Sequence, residues 1–296
     1  MKVREDLHLV HGSVKGPVRD ENEDDYLLFE PEDEEEFRRR GRLLAIADGM
    51  GGEAGGGEAS RVALRAFLAA WIDAGRARGE GEEEFFPLKT AFRRACEAVR
   101  EESTNRPELL RMGCTLTAVE LREGRILGIH VGDTRCLLSG PRGGRWLTEL
   151  HADPDSPHRL TRAVGGGGGG EEPQTFRAEL PEGSALLLLS DGLWNLAPEE
   201  AWLGPFVPND VEGRARSLLA SVHRGKGTDN ATLIVAYRRP GGRADRIGED
   251  VRILDPSKPG LPGFREPGLF VKWWPWFAVF GGLVLGLLAL LFGRDS

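Results

Sequence analysis

The chain has 296 residues, 40% of them apolar and 29% charged, ordinary proportions that exclude wholesale disorder. Its 39 basic and 47 acidic residues leave a net charge of −8, so the clustered cations that nucleic-acid phosphates require are lacking and no nucleic-acid partner is expected. Three cysteines with no C-x-x-C pair exclude a disulfide scaffold and read as buried, reduced thiols.

In chain order, Met1–Val10 is charged, lacks an apolar run and reads as carrying no secretion signal. Tyr26–Phe29 predicts a strand. The acidic run Glu30–Glu36 and the basic triplet Arg38–Arg40 then read as a solvated loop or hairpin tip. Leu43–Ala47 predicts a strand, followed by the glycine-rich stretch Gly49–Gly57. Val62, Ala66, Phe67, Ala69, Ala70 and Trp71 suggest a helix; Leu88, Ala91, Phe92, Ala95 and Val99 have the spacing of one buried helical face. Thr115–Leu121, Ile126–Val131 and Arg135–Ser139 are short apolar runs of strand length. Gly165–Gly170 is a flexible segment. A strand at Ala185–Leu189, a helix through Val211, Ala215, Leu218, Leu219 and Val222, and a strand at Ala231–Tyr237 complete a body of residues 1–238. Helices grouped between blocks of strands favour an α+β layered body over a doubly wound parallel sheet.

Residues 239–269, with five prolines and little periodicity, read as an extended linker. Residues 270–293 read as a transmembrane helix. Trp273–Gly293 is 21 residues without a formal charge, long enough to span a bilayer, with Trp273, Trp274 and Trp276 at one end. Lys258, Arg265 and Lys272 precede the span and Arg294 follows it. The positive-inside rule then places the body in the cytoplasm, on a single-pass attachment to the cytoplasmic membrane, with the lipid bilayer as a partner. Gly282 and Gly286 form G-x-x-x-G, a contact for a homodimer through the span.

The acidic residues have a positional pattern. Glu23 and Asp24 stand just before Tyr26–Phe29, and Asp229 just before Ala231–Tyr237. Asp48, Asp133 and Asp191 stand at the ends of the strands that precede them. In antiparallel neighbours the end of one strand lies beside the start of the next, so these six carboxylates can converge on one edge. Any one of them alone would read as an ordinary turn aspartate. Together they would resist joint ionisation, a cost that a hard divalent cation with oxygen ligands removes. None of the six histidines has zinc-type spacing. Two cations sharing a carboxylate can acidify a water and neutralise a phosphoryl oxygen without a protein nucleophile. Cys136 and Arg142 fit C-x5-R, but Cys136 continues as a strand, so the match is set aside.

The segments Arg19–Asp24, Asp48-Gly-Met-Gly-Gly with Gly57-Glu-Ala-Ser60, and Gly113-Cys-Thr-Leu run in this order through the body. Val131-Gly-Asp133-Thr-Arg135, Leu160–Gly165, Ser190-Asp191-Gly-Leu193 and Thr228-Asp229-Asn230-Ala-Thr232 follow. This series resembles the metal-dependent protein phosphatases (PPM, type 2C) in their bacterial form. The resemblance implies a four-layer αββα sandwich, two antiparallel sheets flanked by helices. It implies hydrolysis of phosphoserine and phosphothreonine by a hydroxide bridging two Mn²⁺ or Mg²⁺ ions, with phosphorylated proteins, serine/threonine kinases among them, as partners. Asp48 would bridge the two metals, Asp191 and Asp229 would complete one site, and Glu23 and the Gly49 carbonyl would serve the other. Asp24 would hold metal-bound waters, Asp133 would contribute to a third, weaker metal site, and Arg19 would clamp the substrate phosphate. Met50 departs from the histidine of animal members, leaving protonation of the leaving group to a metal-bound water. Asp153–Glu172, the flap, is the least family-like stretch. The alternative from another class is a membrane-anchored pseudophosphatase that binds phosphoproteins without turnover.

Overall fold

The computed structural model describes residues 3–51, 55–77, 83–165, 172–198, 202–203, 211–224, 227–243, 247–248 and 251–253. In chain order the strands begin with β1 Val3–Arg4, β2 Leu7–Val14, β3 Asp25–Phe29, β4 Arg42–Ala47, β5 Gly49–Met50 and β6 Gly113–Cys114. They continue with β7 Leu116–Arg122, β8 Arg125–Val131, β9 Arg135–Gly140, β10 Gly143–Trp146, β11 Ala152–Asp153 and β12 Ser156–Leu160. The last are β13 Val164–Gly165, β14 Gln174–Glu179, β15 Ala185–Leu189, β16 Ala231–Arg238, β17 Ile247–Gly248 and β18 Val251–Ile253. The helices are α1 Glu34–Arg40, α2 Gly55–Ala77, α3 Phe86–Asn105, the single turn α4 Asp191–Trp194, and the helix Val211–Arg224.

Two sheets carry the body: a five-stranded one in the order β14-β8-β7-β4-β3 and a six-stranded one in the order β10-β9-β15-β16-β2-β18. Alternation along the strands assigns each side chain to a layer, because successive residues of a strand face opposite sides. Leu43, Ala45 and Ala47 of β4 pack with Ala63, Phe67 and Trp71 of α2 and with Leu88, Phe92 and Val99 of α3. Leu44 and Ile46 point the other way and meet Leu9 of β2, Leu186 and Leu188 of β15, and Ile234 of β16. On the far side, Leu187, Leu189 and Val235 pack against Val211, Ala215, Leu219 and Val222. Three apolar cores thus separate four layers: helices, sheet, sheet, helix.

Three stretches differ from the sequence expectation. The N-terminal residues supply β2, a strand flanked by β16 and β18, whose short alternating pattern places Leu7 and Leu9 between the sheets and Val10 and Val14 on the helix side. The charged run at 34–40 is not a solvated loop but the helix α1. Asp33 caps it by accepting the Glu36 N–H at 2.8 Å, and acids fill its first turn and arginines its last, the order that complements the helix dipole. The sheets also run past residue 238: β17 pairs with β1, and β18 lies parallel to β2. The prolines of 239–269 fall at Pro240 and from Pro256 onward, which leaves 247–253 free to donate ladder hydrogen bonds. Among the described residues no helix is long and apolar enough to cross a membrane, and the span expected at 273–293 lies outside them.

At the end where β4 begins, a set of opposite charges is buried. Arg4 and Arg42 are each 1% exposed, and both reach Glu30: Arg4 Nη1 at 2.8 Å and Arg42 through Nε. Arg42 also donates to Asp6, and both guanidinium groups lie over the Phe37 ring, Arg4 at 3.6 Å from its centre. Removing the charge shared by both arginines leaves buried positive charge undercompensated. Glu30→Gln is therefore expected to lower stability by about 3 kcal/mol in urea denaturation. Arg38→Ala, which breaks an exposed pair with Glu34, should cost under about 0.5 kcal/mol. Equal effects would refute the assignment.

Candidate active site

The register of both sheets brings strand ends to one edge. In the first sheet Asp25 faces Ala47, Ile46 faces Thr117, and Leu116 faces Val131. In the second, Leu189 faces both Arg135 and Leu233, and Ala231 faces Val14. Asp24, Asp48, Asp133, Asp191 and Asp229 each lie one or two residues beyond these ends. They form one electrostatic group: Asp48 feels Asp24, Asp191, Asp133 and Asp229.

Each is held by its neighbours. Asp48 and Thr115 are doubly linked, the Asp48 N–H donating to Thr115 Oγ1 and the Thr115 N–H to the Asp48 carbonyl, both at 2.9 Å. Asp24 Oδ2 accepts from Ser190 Oγ at 2.8 Å and from Thr232 Oγ1 at 2.7 Å. Behind them, Asn22 Nδ2 donates to Ser13 Oγ at 2.8 Å, and Ser13 Oγ lies 2.7 Å from Thr232 Oγ1. This chain of hydroxyls joins β2, β16 and the segment entering β3. Glu23 takes the backbone N–H of Gly56 at the start of α2, where a helix N-terminus favours a carboxylate. No side chain fits there: a Cβ on Gly56 would stand 2.7 Å from Glu23 Cδ, and one on Gly49 would stand 2.8 Å from the Glu23 carbonyl.

Gly49 opens β5, which pairs with β6, itself paired with β13, so a three-stranded ribbon runs beside Asp48. Within the expected flap, β11 and β12 form a hairpin; residues 166–171 lie outside the described set. Trp194 Nε1 donates to the Asp133 carbonyl at 2.9 Å, tying α4 to the loop after β8. Arg135 lies 3.6 Å over Trp146 and 5.3 Å from Trp194. At the mouth, Arg19 Nη2 donates to Asp229 Oδ2 at 2.5 Å.

Sequence reasoning reached the acids and Arg19 but passed over Ser13, Thr115, Ser190 and Thr232. Three of the four sit inside the quoted motifs, yet a short hydroxyl carries no signal until the fold shows what it faces.

Crowding and burial act together on the acids. Burial, reinforced by Asp191 and Asp229, pushes Asp24 up to about 7 despite its two hydroxyl donors. Burial and Asp191 push Asp133 up to about 7 as well. Asp48 is raised well above the usual carboxylate range by burial and by its four neighbours, and Asp191 by burial and Asp229. Glu23 is raised by burial, against the pull of Arg19. Asp24 Oδ1 and Asp191 Oδ1 are buried with no hydrogen-bond partner. Unpartnered oxygens in an all-oxygen donor set suit a hard divalent cation. As the side chains stand, no three histidine, cysteine or acidic groups among the described residues are arranged to hold one ion jointly. Arg19 holds Asp229, and hydroxyls hold one oxygen of Asp24.

The two stacked sheets, antiparallel except for β18, with carboxylates at their common edge and an arginine beside them, define a layered α+β class of protein. The family description "Protein phosphatase 2C" matches residues 19–221, and the chain belongs to that family. It is 32% identical to the serine/threonine protein phosphatase PstP of Mycobacterium tuberculosis over 215 residues, 66% of this chain but only 40% of that protein's length. It is 30% identical to the serine/threonine phosphatase stp of Listeria monocytogenes over 254 residues, 78% of this chain and 96% of the relative. The crystal structure of the mycobacterial phosphatase PstP/Ppp superposes with a TM-score of 0.63 at 28% identity, covering 79% of this chain and 99% of that one. The catalytic domain of PstP in complex with two manganese ions does so with a TM-score of 0.62 at 29% identity, with the same coverage.

The raised acids fix a pH dependence. A carboxyl whose folded pKa exceeds its unfolded value keeps a proton that the unfolded chain has lost, so its stabilisation is present at low pH and lost as pH rises through the folded value. His11, lowered to about 4, His130, lowered to about 3, and His151, lowered to about 4, act oppositely, but only below the unfolded histidine value of about 6.5. The chain stripped of divalent ions should therefore lose thermal stability between about pH 6.5 and 8. Asp24→Asn should flatten that fall. A Tm that rises across the window would contradict this account.

Proposed function

We propose that this chain is a metal-dependent protein phosphatase that hydrolyses phosphoserine and phosphothreonine on protein substrates. The convergence of Asp48, Asp191 and Asp229 with Asp24, Glu23 and Asp133 at one strand edge, two of them carrying unpartnered buried oxygens, is the observation that carries the reading. Asp48 would be the shared ligand, Asp191 and Asp229 would serve one ion, and Glu23 with the Gly49 carbonyl the other. Asp24 would hold the surrounding waters and Asp133 a third ion. Mn²⁺ or Mg²⁺ bound there supplies an acidified water and offsets the charge of the phosphoryl oxygens. Family membership and the two manganese ions of the PstP catalytic domain support that choice.

The protein's own groups do the positioning. Arg19, 45% exposed at the mouth, offers a fork that can take two phosphate oxygens and orient the ester. Ser190 and Thr232 fix Asp24 through one oxygen and leave the other able to accept. Thr115 holds the Asp48 backbone at both its N–H and its carbonyl. The reading extends to a tether: Trp273–Gly293 would anchor the chain in the cytoplasmic membrane with the body in the cytoplasm, supported by its length, its lack of charge and the Lys and Arg residues before it. Serine/threonine kinases among the substrates and dimerisation through Gly282 and Gly286 belong to the same proposal.

Release of phosphate from a phosphothreonine peptide by the full chain should require Mn²⁺ and stop on addition of EDTA. Asp48→Asn should lower turnover by about a thousandfold while keeping the far-ultraviolet circular dichroism of the parent. Peptide binding without Mn²⁺-dependent turnover would leave the pseudophosphatase instead. The full chain should also sediment with membranes, and a chain ended at residue 264 should not.

A further inference from the structure

The ion pair at the mouth joins two residues whose proposed tasks exclude each other. Under the phosphatase reading, on which this inference rests, Asp229 lends its carboxylate to a cation and Arg19 lends its guanidinium to the substrate phosphate. As they stand, Arg19 Nη2 donates to Asp229 Oδ2 at 2.5 Å, and Asp229 Oδ1 accepts the Asn230 N–H at 2.8 Å. Both oxygens of the ligand are engaged. The arginine also feels Glu23 and Asp48, so its charge reaches the other side of the pocket.

The contact is built into the backbone. A Cβ on Gly16 would stand 2.5 Å from the Asp229 carbonyl carbon, so the segment carrying Arg19 lies directly against the segment carrying Asp229. The Gly16 N–H donates to Asn230 Oδ1 at 3.1 Å, and the Arg19 N–H closes a turn onto the Gly16 carbonyl at 3.2 Å. Both side chains nevertheless keep solvent access, 45% for Arg19 and 31% for Asp229, so the pair can exchange. A fixed approach with mobile ends is what a competitor needs.

We infer that Arg19 is a built-in competitor of the divalent cation for Asp229, so that cation loading and release of the phosphate clamp are one event. A cation taking Asp229 displaces the guanidinium, which then stands free for the substrate phosphate. Linkage makes the effect reciprocal: an anion that draws Arg19 away must tighten cation binding by the same factor. A protein short of metal would then also lack its clamp, rather than holding substrate unproductively.

The test is Mn²⁺ binding by calorimetry on the EDTA-stripped full chain, a readout independent of turnover. Arg19→Ala and Arg19→Gln remove the competing charge and should bind Mn²⁺ roughly fivefold more tightly than the parent, the worth of an exposed ion pair. Inorganic phosphate should tighten Mn²⁺ binding to the parent more than to Arg19→Ala; an equal effect in both overturns the coupling. Unchanged or weaker Mn²⁺ binding in both neutral variants overturns the competitor role and leaves the phosphatase reading standing. No Mn²⁺ uptake by any of the three proteins overturns both.

Discussion

Asp24, Asp48, Asp133 and Asp191 are pushed toward the protonated state by the same two forces, removal from water and the presence of one another. Nothing in the apolar cores recovers that cost; it is imposed by the fold's own register. Because β3, β4, β7 and β8 turn back on one another, as do β9, β15, β16 and β2, each strand end that carries an aspartate arrives at the same edge. The sheets are therefore the device that concentrates like charge at one edge.

The opposite end of β4 shows the contrasting solution. There, charges of both signs are buried together, and Arg4 and Arg42 pair with Glu30, Arg42 also with Asp6. Such a cluster balances its own charge, although Arg4 Nε is left without a hydrogen-bond partner. At the other edge carboxylates are gathered with the hydroxyls of Ser190 and Thr232, and Arg19 pairs with Asp229 at the rim. One strand, β4, thus runs from an end where charges of both signs are paired to an end where like charges are gathered.

Much of this was legible in the sequence, because apolar runs of strand length and helical spacing are local signals. Leu43–Ala47 and Ala185–Leu189 are strands at those positions, and the face of Leu88, Ala91, Phe92, Ala95 and Val99 is buried on α3. What escaped was context. Residues 34–40 look like a solvated charge run until Phe37 and Arg40 find a core to enter. The alternation in β2 is broken by Gly12 and diluted by His8 and His11, so only its two neighbouring strands reveal it. Strands β17 and β18 are too short to announce themselves. At the site, acids signal through their cost, whereas hydroxyls such as Ser190 and Thr232 matter only through what they face.

Arg19 stands out in the sequence by its place before Asn22-Glu23-Asp24 and reads there as a clamp, but its partner Asp229 is not foreseen. A sequence can assign Arg19 to an anion and Asp229 to a cation without noticing that each is the other's nearest suitable ion. The close approach of Gly16 to Asp229 makes that meeting unavoidable. Here the fold adds something that the motifs omit: two groups far apart in the sequence are placed in direct contact. Under the proposed reading, a cation bound at Asp229 would require Arg19 to move aside. The same geometry that crowds the acids therefore also sets a cation of the chain's own beside them.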